Sequence, residues 1–253
     1  MITERCFDEL RAEGEQAPVD GWDFSWFAGR ATEQRPSWGY LPLISDRLAR
    51  VASGLDVQTG GGEVLAKIAT PPAHLAATES WPPNLEIARR NLAKFDAIVL
   101  EAPDDGELPF GDNQFELVVS RHPTTTVWSE IARVLEPGGS YLSQQVGPGS
   151  VRELTDAIMG PQPVSQSRST ERARVDAEAA GLAVIDLRTA ALRMEFNDIA
   201  AVITFLRKVI WTVPGFTAAA YLPQLATLHE QIEATGPFIA HSQRFLIEAI
   251  KAG

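Results

Sequence analysis

"LDVQTGGGEVLAKI" (residues 55–68) decides how the rest of the chain is read. An apolar run breaks into three consecutive glycines, Gly60 to Gly62, and resumes with Val64, Leu65 and Ile68 at helical spacing. Glycine accepts positive φ and lets a ligand approach bare backbone, so a glycine turn between strand and helix is a candidate nucleotide cradle. Glycine clusters also make plain turns, and the flanking sequence has to arbitrate.

From about Gly54 to Val146, strand-like apolar runs alternate with amphipathic segments, the pattern of a mostly parallel sheet covered by helices. "GLDVQ" reads as a first strand and "AHLAATE" as a second. "PPNLEIARRNLAKF" puts Leu85, Ala88, Leu92 and Phe95 on one helical face, with prolines suited to a first turn. "DAIVLEA" and "QFELVVS" are two more strands, "WSEIARVLEPGG" a helix stopped by Pro137, and "SYLSQQV" a fifth strand. A helix near Val151 to Met159, the linker "GPQPVSQS" and a helix-strand pair, "RARVDAEAAGLAVIDLRTA", follow. Ile199, Val202, Ile203, Leu206 and Ile210 form a helical stripe within a cap, and "FIAHSQRFLIEAIK" returns as the last strand.

A dinucleotide fold asks for G-x-G-x-x-G, the third glycine letting helix sit against strand. Gly60 and Gly62 supply two, but the third position is Leu65, which disfavours a nicotinamide enzyme. The adenosine half of the logic survives: Glu79 ends the second strand, where a carboxylate can accept bonds from both ribose hydroxyls.

Over Leu55 to Val146 these segments resemble a class I S-adenosylmethionine-dependent methyltransferase of the type 11-like subgroup. "LDVQTGGGE" resembles the family's first motif, and "ATESWPPNLEIARRNLA" its ribose-binding second strand and following helix. "DDGELPFGDNQFELVVSRH" and "IARVLEPGGSYL" resemble its third-to-fifth strand region. The resemblance implies a doubly wound, mostly parallel seven-stranded sheet, Rossmann-like, in a single methyltransferase domain spanning 1–253. Its parts would be a helical extension (1–53), a cofactor-binding core (54–195), a helical cap (196–236) and the last strand (237–253). It implies S-adenosyl-L-methionine as cofactor and no metal. Gly60 and Gly62 would face its methionine part, Asp56 would orient the loop, and Glu79, with Ser80, would hold the ribose. Asp104 and Asp105 would meet the adenine with Trp81 over it, and Ser120 would close the cofactor site. The family usually has glycine where Gln58 stands. Gln58 then either intrudes on the methionine pocket or offers its amide to the cofactor.

Transfer from a sulfonium is an in-line displacement in which positioning and desolvation carry much of the barrier reduction. A proton acceptor is needed only where the acceptor atom must be deprotonated. Of four histidines, His122 falls just beyond the fourth strand and is the candidate catalytic base. Trp22, Trp26, Phe27, Trp38 and Tyr40 crowd the extension, and Trp211 and Phe216 lie in the cap. Trp26, Trp38 and Trp211 would line an acceptor pocket, and Arg30 and Arg35 in "GRATEQRPSW" would either meet an acidic group of cofactor or acceptor or lie at the surface. The same aromatics would equally serve to glue small helices to the sheet.

Lys and Arg number 22 against 33 Asp and Glu, a formal charge of −11. That balance repels a phosphate backbone and argues against a nucleic-acid partner. One cysteine, Cys6, excludes an intrachain disulfide and fits a reducing compartment, so a soluble cytoplasmic protein without a membrane segment is expected. The leading function is methyl transfer to a small, apolar or aromatic acceptor. An RNA or protein methyltransferase and a non-catalytic cofactor-binding protein are the alternatives; the oligomeric state is not encoded in any motif.

Overall fold

A computed structural model describes residues 5–19 and 23–253; Trp22 lies outside the described residues. The elements are α1 (Phe7–Gln16), β1 (Ala31–Glu33), α2 (Tyr40–Leu48), β2 (Ser53–Val57), β3 (His74–Glu79), α3 (Pro82–Leu92), β4 (Ile98–Glu101) and β5 (Phe115–Arg121). After them come α4 (Trp128–Val134), β6 (Leu135–Val146), α5 (Arg152–Met159), α6 (Thr170–Ala179), β7 (Leu182–Phe196), α7 (Ile199–Lys208), α8 (Leu222–Thr235) and β8 (Phe238–Lys251). The hydrogen-bonded strand order is β1-β7-β8-β6-β5-β2-β3-β4. The chain divides into two compact units: residues 36–148, 166–190 and 244–253 form one, and residues 1–35, 149–165 and 191–243 the other.

In the first unit β4, β3, β2, β5 and β6 run parallel, and β8 joins β6 antiparallel. β2 is buried along its whole length, as a central parallel strand covered on both faces must be. Two apolar layers flank this sheet. Tyr40, Ile44 and Leu48 of α2 and Leu85, Ala88 and Leu92 of α3 pack on one face. Trp128 and Ile131 of α4 and Ala173 and Ala177 of α6 pack on the other. Because β3 and β5 lie on opposite sides of β2, the carboxyl ends of these strands open the crevice where parallel α/β sheets bind ligands.

In the second unit α7 is buried in every residue but Arg207, an apolar cylinder among α1, α5 and α8. Gly14 of α1 allows close approach: a Cβ there would stand 2.9 Å from the Ala200 oxygen. Arg207 caps the end of α1, its Nη1 donating to the carbonyls of Gly14 (2.7 Å) and Ala17 (2.9 Å).

Four expectations change. Eight strands replace seven, and the extension is not all helical. β7 runs for fifteen residues, and its end pairs antiparallel with β1, Ala31 opposite Phe196. After the glycines there is only a 3-10 turn, Leu65–Lys67, because Gly62 on one side and Pro71 and Pro72 on the other leave too little chain for a full helix. Leu65 and Ile68 are still buried. The cap helix stops at Lys208, leaving Ile210 exposed. Among the described residues no helix is long and apolar enough to cross a membrane.

Candidate active site

The glycine turn is tied to the end of β3 at several points. Backbone φ is positive at Gln58, Gly60 and Gly62 (58°, 64° and 73°). Thr59 N donates to the Thr78 carbonyl (2.9 Å), and Thr59 Oγ1 donates to Asp56 Oδ2 (2.7 Å). The Glu79 carboxylate accepts from Gly60 N at 2.8 Å and from Trp81 N at 3.0 Å, so one side chain fixes both the glycine turn and the start of α3. Asn91 Nδ2 completes the frame on the Gly61 carbonyl (2.7 Å). Asp56 and Glu79 are each 7% exposed. Burial lifts Asp56 to about 7, against the Thr59 bond and helped by the Glu79 charge. Burial also raises Glu79, while the Trp81 and Gly60 N–H groups pull it back.

Gln58 follows β2 in a left-handed backbone that costs about 1–2 kcal/mol for a residue with a side chain. Its amide offsets that strain with three hydrogen bonds. Oε1 accepts from Thr124 N (2.6 Å), and Nε2 donates to the carbonyls of Thr125 (2.7 Å) and Asp104 (3.2 Å). The side chain thereby joins the loop after β4 to the loop after β5.

On the β3–β4 side, Ser80, Glu101, Ala102, Pro103 and Asp104 line an open cleft. Trp81, next to Ser80 in sequence, is 48% exposed, and Asp105 is exposed in the turn. Arg133 braces the following loop by donating to the Leu108 (2.9 Å) and Phe110 (2.7 Å) carbonyls.

On the β5–β6 side, His122 also has positive φ, 55°, and its N–H donates to the Gln144 carbonyl (2.7 Å), prolonging the ladder by one residue. Trp38 Nε1 donates to Gln144 Oε1 at 2.8 Å, which leaves Gln144 Nε2 facing His122 Nε2 at 2.9 Å. An indole nitrogen can only donate, so the amide orientation is set, His122 Nε2 must accept, and Nδ1 carries the proton. Burial, then the charges of Arg121 and Arg244, holds the imidazole well below its ordinary value, so it is neutral near pH 7. Arg121, opposite Gln144 in register, has no hydrogen-bond or ion-pair partner for its side chain among the described residues. Tyr40, 7% exposed, carries a hydroxyl without a partner, and burial keeps it protonated far above the usual range.

Asp56, Gln58, Gly60, Gly62, Glu79, Ser80, Trp81 and Asp104 therefore gather at one end of the sheet, with Trp38 and His122 beside them through Gln144. Ser120 is turned into the interior, its hydroxyl shared with Tyr141 (2.7 Å) and Ser143 (2.8 Å). Trp26, Arg30 and Trp211 belong to the other compact unit. There Arg30 pairs with Glu13 and Asp198 and lies 4.6 Å over the Trp26 ring, an arrangement that holds α1 to the start of α7. Sequence reasoning did not single out Gln144, which links Trp38 to His122, and it named Tyr40 only among the aromatics of the extension, where it is buried with Ile44 and Leu48. Gln144 had a signal, its place near the carboxyl end of a parallel strand; the empty hydroxyl of Tyr40 had none.

Residues 55–143 match the methyltransferase domain family. Over 116 residues the chain is 34% identical to a demethylmenaquinone methyltransferase of Clavibacter sepedonicus, covering 39% of this chain and 47% of that one. It is 27% identical over 124 residues to a malonyl-[acyl-carrier protein] O-methyltransferase of Xylella fastidiosa (strain M23), covering 47% and 42%. The chain thus spans about half the length of the curated relatives it matches. The YcgJ protein of Bacillus subtilis superposes with a TM-score of 0.59 at 19% identity, over 84% of this chain and 98% of that one, a likeness of fold. A glycine turn is locked to an acid at the end of the neighbouring strand, and the family match is laid over that same stretch: residues 55–143 are a methyltransferase domain.

Proposed function

We propose that the protein transfers a methyl group from S-adenosylmethionine to a small acceptor. The observation that carries the reading is the Glu79 carboxylate, buried and tied to Gly60 N and Trp81 N at the switch in strand order. The residues fit the adenosine half of the cofactor well. Glu79 and Ser80 would hold the ribose, and the loop Pro103–Asp105 with Trp81 would flank the adenine. When bound, the cofactor supplies an activated methyl group on a sulfonium.

The chain's own residues then position and desolvate the acceptor. His122 offers Nδ1–H, a donor that suits an oxygen or nitrogen atom on the acceptor. A base role for His122 needs the Nε2 lone pair, which the Gln144 amide occupies. Catalysis by positioning is therefore the proposal, with Trp38 as an aromatic wall. A small acceptor is favoured over nucleic acid by the charge of −11. Calorimetry with S-adenosylmethionine and S-adenosylhomocysteine up to millimolar concentration tests the cofactor, and methyl-tritiated cofactor with a cell metabolite extract tests transfer. Absence of heat and of thermal shift with both nucleosides would overturn the reading.

A further inference from the structure

The cradle fits the adenosine half of the cofactor, but a side chain bridges the path of the other half. Running from the ribose acid Glu79 toward His122, an amino-acid arm must pass the end of β2. Gln58 stands there. Its amide reaches Asp104 O on the adenosine side and Thr124 N and Thr125 O on the acceptor side. Backbone strain at Gln58 argues against an idle position, since a non-glycine residue held at φ 58° persists only where its surroundings enforce it. The partners of the clamp are backbone groups of two surface loops, and Thr124 and Thr125 are exposed. Water can replace these bonds, so the clamp can open.

We propose that Gln58 gates the amino-acid arm of the cofactor: its side chain holds the loops after β4 and β5 together and must release them before the arm can seat. The gate rests on the methyltransferase reading. It makes a distinction that reading alone does not. A nucleoside without the arm should bind with the clamp closed, whereas one with the arm must work against it.

Calorimetry with S-adenosylhomocysteine and with 5′-methylthioadenosine, which lacks the arm, separates the two. The proteins are wild type, Gln58→Gly, which removes the clamp and the strain together, and Gln58→Asn. Asparagine tolerates the left-handed backbone but is too short to reach both loops, which covers the case of a poorly folded glycine variant. We expect S-adenosylhomocysteine to bind at least about tenfold tighter in both variants, a gain of roughly 1.4 kcal/mol. 5′-Methylthioadenosine should change by less than about twofold. The amide of Thr124 should also lose hydrogen-exchange protection in the variants. Unchanged or weaker S-adenosylhomocysteine binding in the folded variants overturns the gate. An equal gain for both nucleosides also overturns it, because the arm would then be irrelevant. Failure of every protein to bind either nucleoside removes the cofactor reading, and the gate with it, whereas binding of 5′-methylthioadenosine together with no variant effect on S-adenosylhomocysteine removes the gate alone.

Discussion

Trp38 sets the tautomer of His122 through one intervening amide: the indole donates to Gln144 Oε1, and Gln144 Nε2 donates to His122 Nε2. The imidazole is thereby a donor through Nδ1.

The ¹⁵N shifts of labelled His122 should accordingly show a protonated Nδ1 and an unprotonated Nε2 from pH 8 to below 6.5, because burial and the Arg121 and Arg244 charges depress its pKa. Trp38→Phe removes the donor that orients Gln144 and should produce a mixture of tautomers. Once an acceptor is found, turnover should lack an acidic limb near the ordinary histidine value. A limb near 6.5 that vanishes in His122→Ala would restore the general-base role.

Glu79→Gln keeps the size of the side chain but gives it one oxygen for two N–H donors. One of Gly60 N and Trp81 N then faces an NH₂ group. A loss of about 1–3 kcal/mol in stability is expected, with cofactor affinity lower by about ten- to a hundredfold. Thermal melts and calorimetry on the same sample measure both. Native affinity in the variant would show that the acid does not meet the ribose.

Asp56 gives stability a slope in pH. Its folded value, about 7, lies above the ordinary carboxylate range, so the native state holds the proton more tightly than the unfolded chain. The stabilising contribution is complete below the unfolded value near 3.9 and is lost as pH rises through about 7, by at most about 1.4 kcal/mol per unit. Glu79, also raised, acts in the same direction. His122, lowered, acts oppositely, costing stability as pH falls below about 6.5. Denaturant melts of wild type and Asp56→Asn at pH 5 and 8 isolate the Asp56 part, since the other two are common to both. The variant should gain relative to wild type at pH 8.

Arg30→Ala separates an architectural arginine from one that reads an acceptor. Removing it leaves Arg5 as the remaining cation on Glu13 and Asp198 and uncovers the Trp26 ring. The melting temperature should fall, by the equivalent of about 1–2 kcal/mol, while KM for the acceptor stays constant. A raised KM with an unchanged melting temperature would return Arg30 to the binding site.

The parts of the fold that local patterning governs were legible. "GLDVQ", "AHLAATE", "QFELVVS" and the face of Leu85, Ala88 and Leu92 are buried as their spacing implies. What was hidden depends on distant partners. Three residues at Ala31–Glu33 become a strand only because the far end of β7 offers an unpaired edge. The missing helix after the glycines follows from chain length between two breakers, which spacing of apolar residues does not report. In the site, the positive φ of Gln58 was readable because glycine usually occupies that place. Its three bonds were not, nor was the Trp38–Gln144–His122 chain, since each joins segments far apart in sequence.

The seating of α1 against α7 has a consequence for how the chain is made. Thr204 and Gly14, joined across that contact, are 190 residues apart. At about 5–20 residues per second, α1 leaves the ribosome roughly 10–40 s before the helix it packs on has been synthesised. Leu10 and the bare backbone of Gly14 have no permanent cover in that interval. The unit formed by 1–35, 149–165 and 191–243 must assemble late, around a segment that has waited. Moving α1 to follow β8 by circular permutation would shorten the wait and should raise the soluble yield of newly made protein without altering the melting temperature of the finished fold.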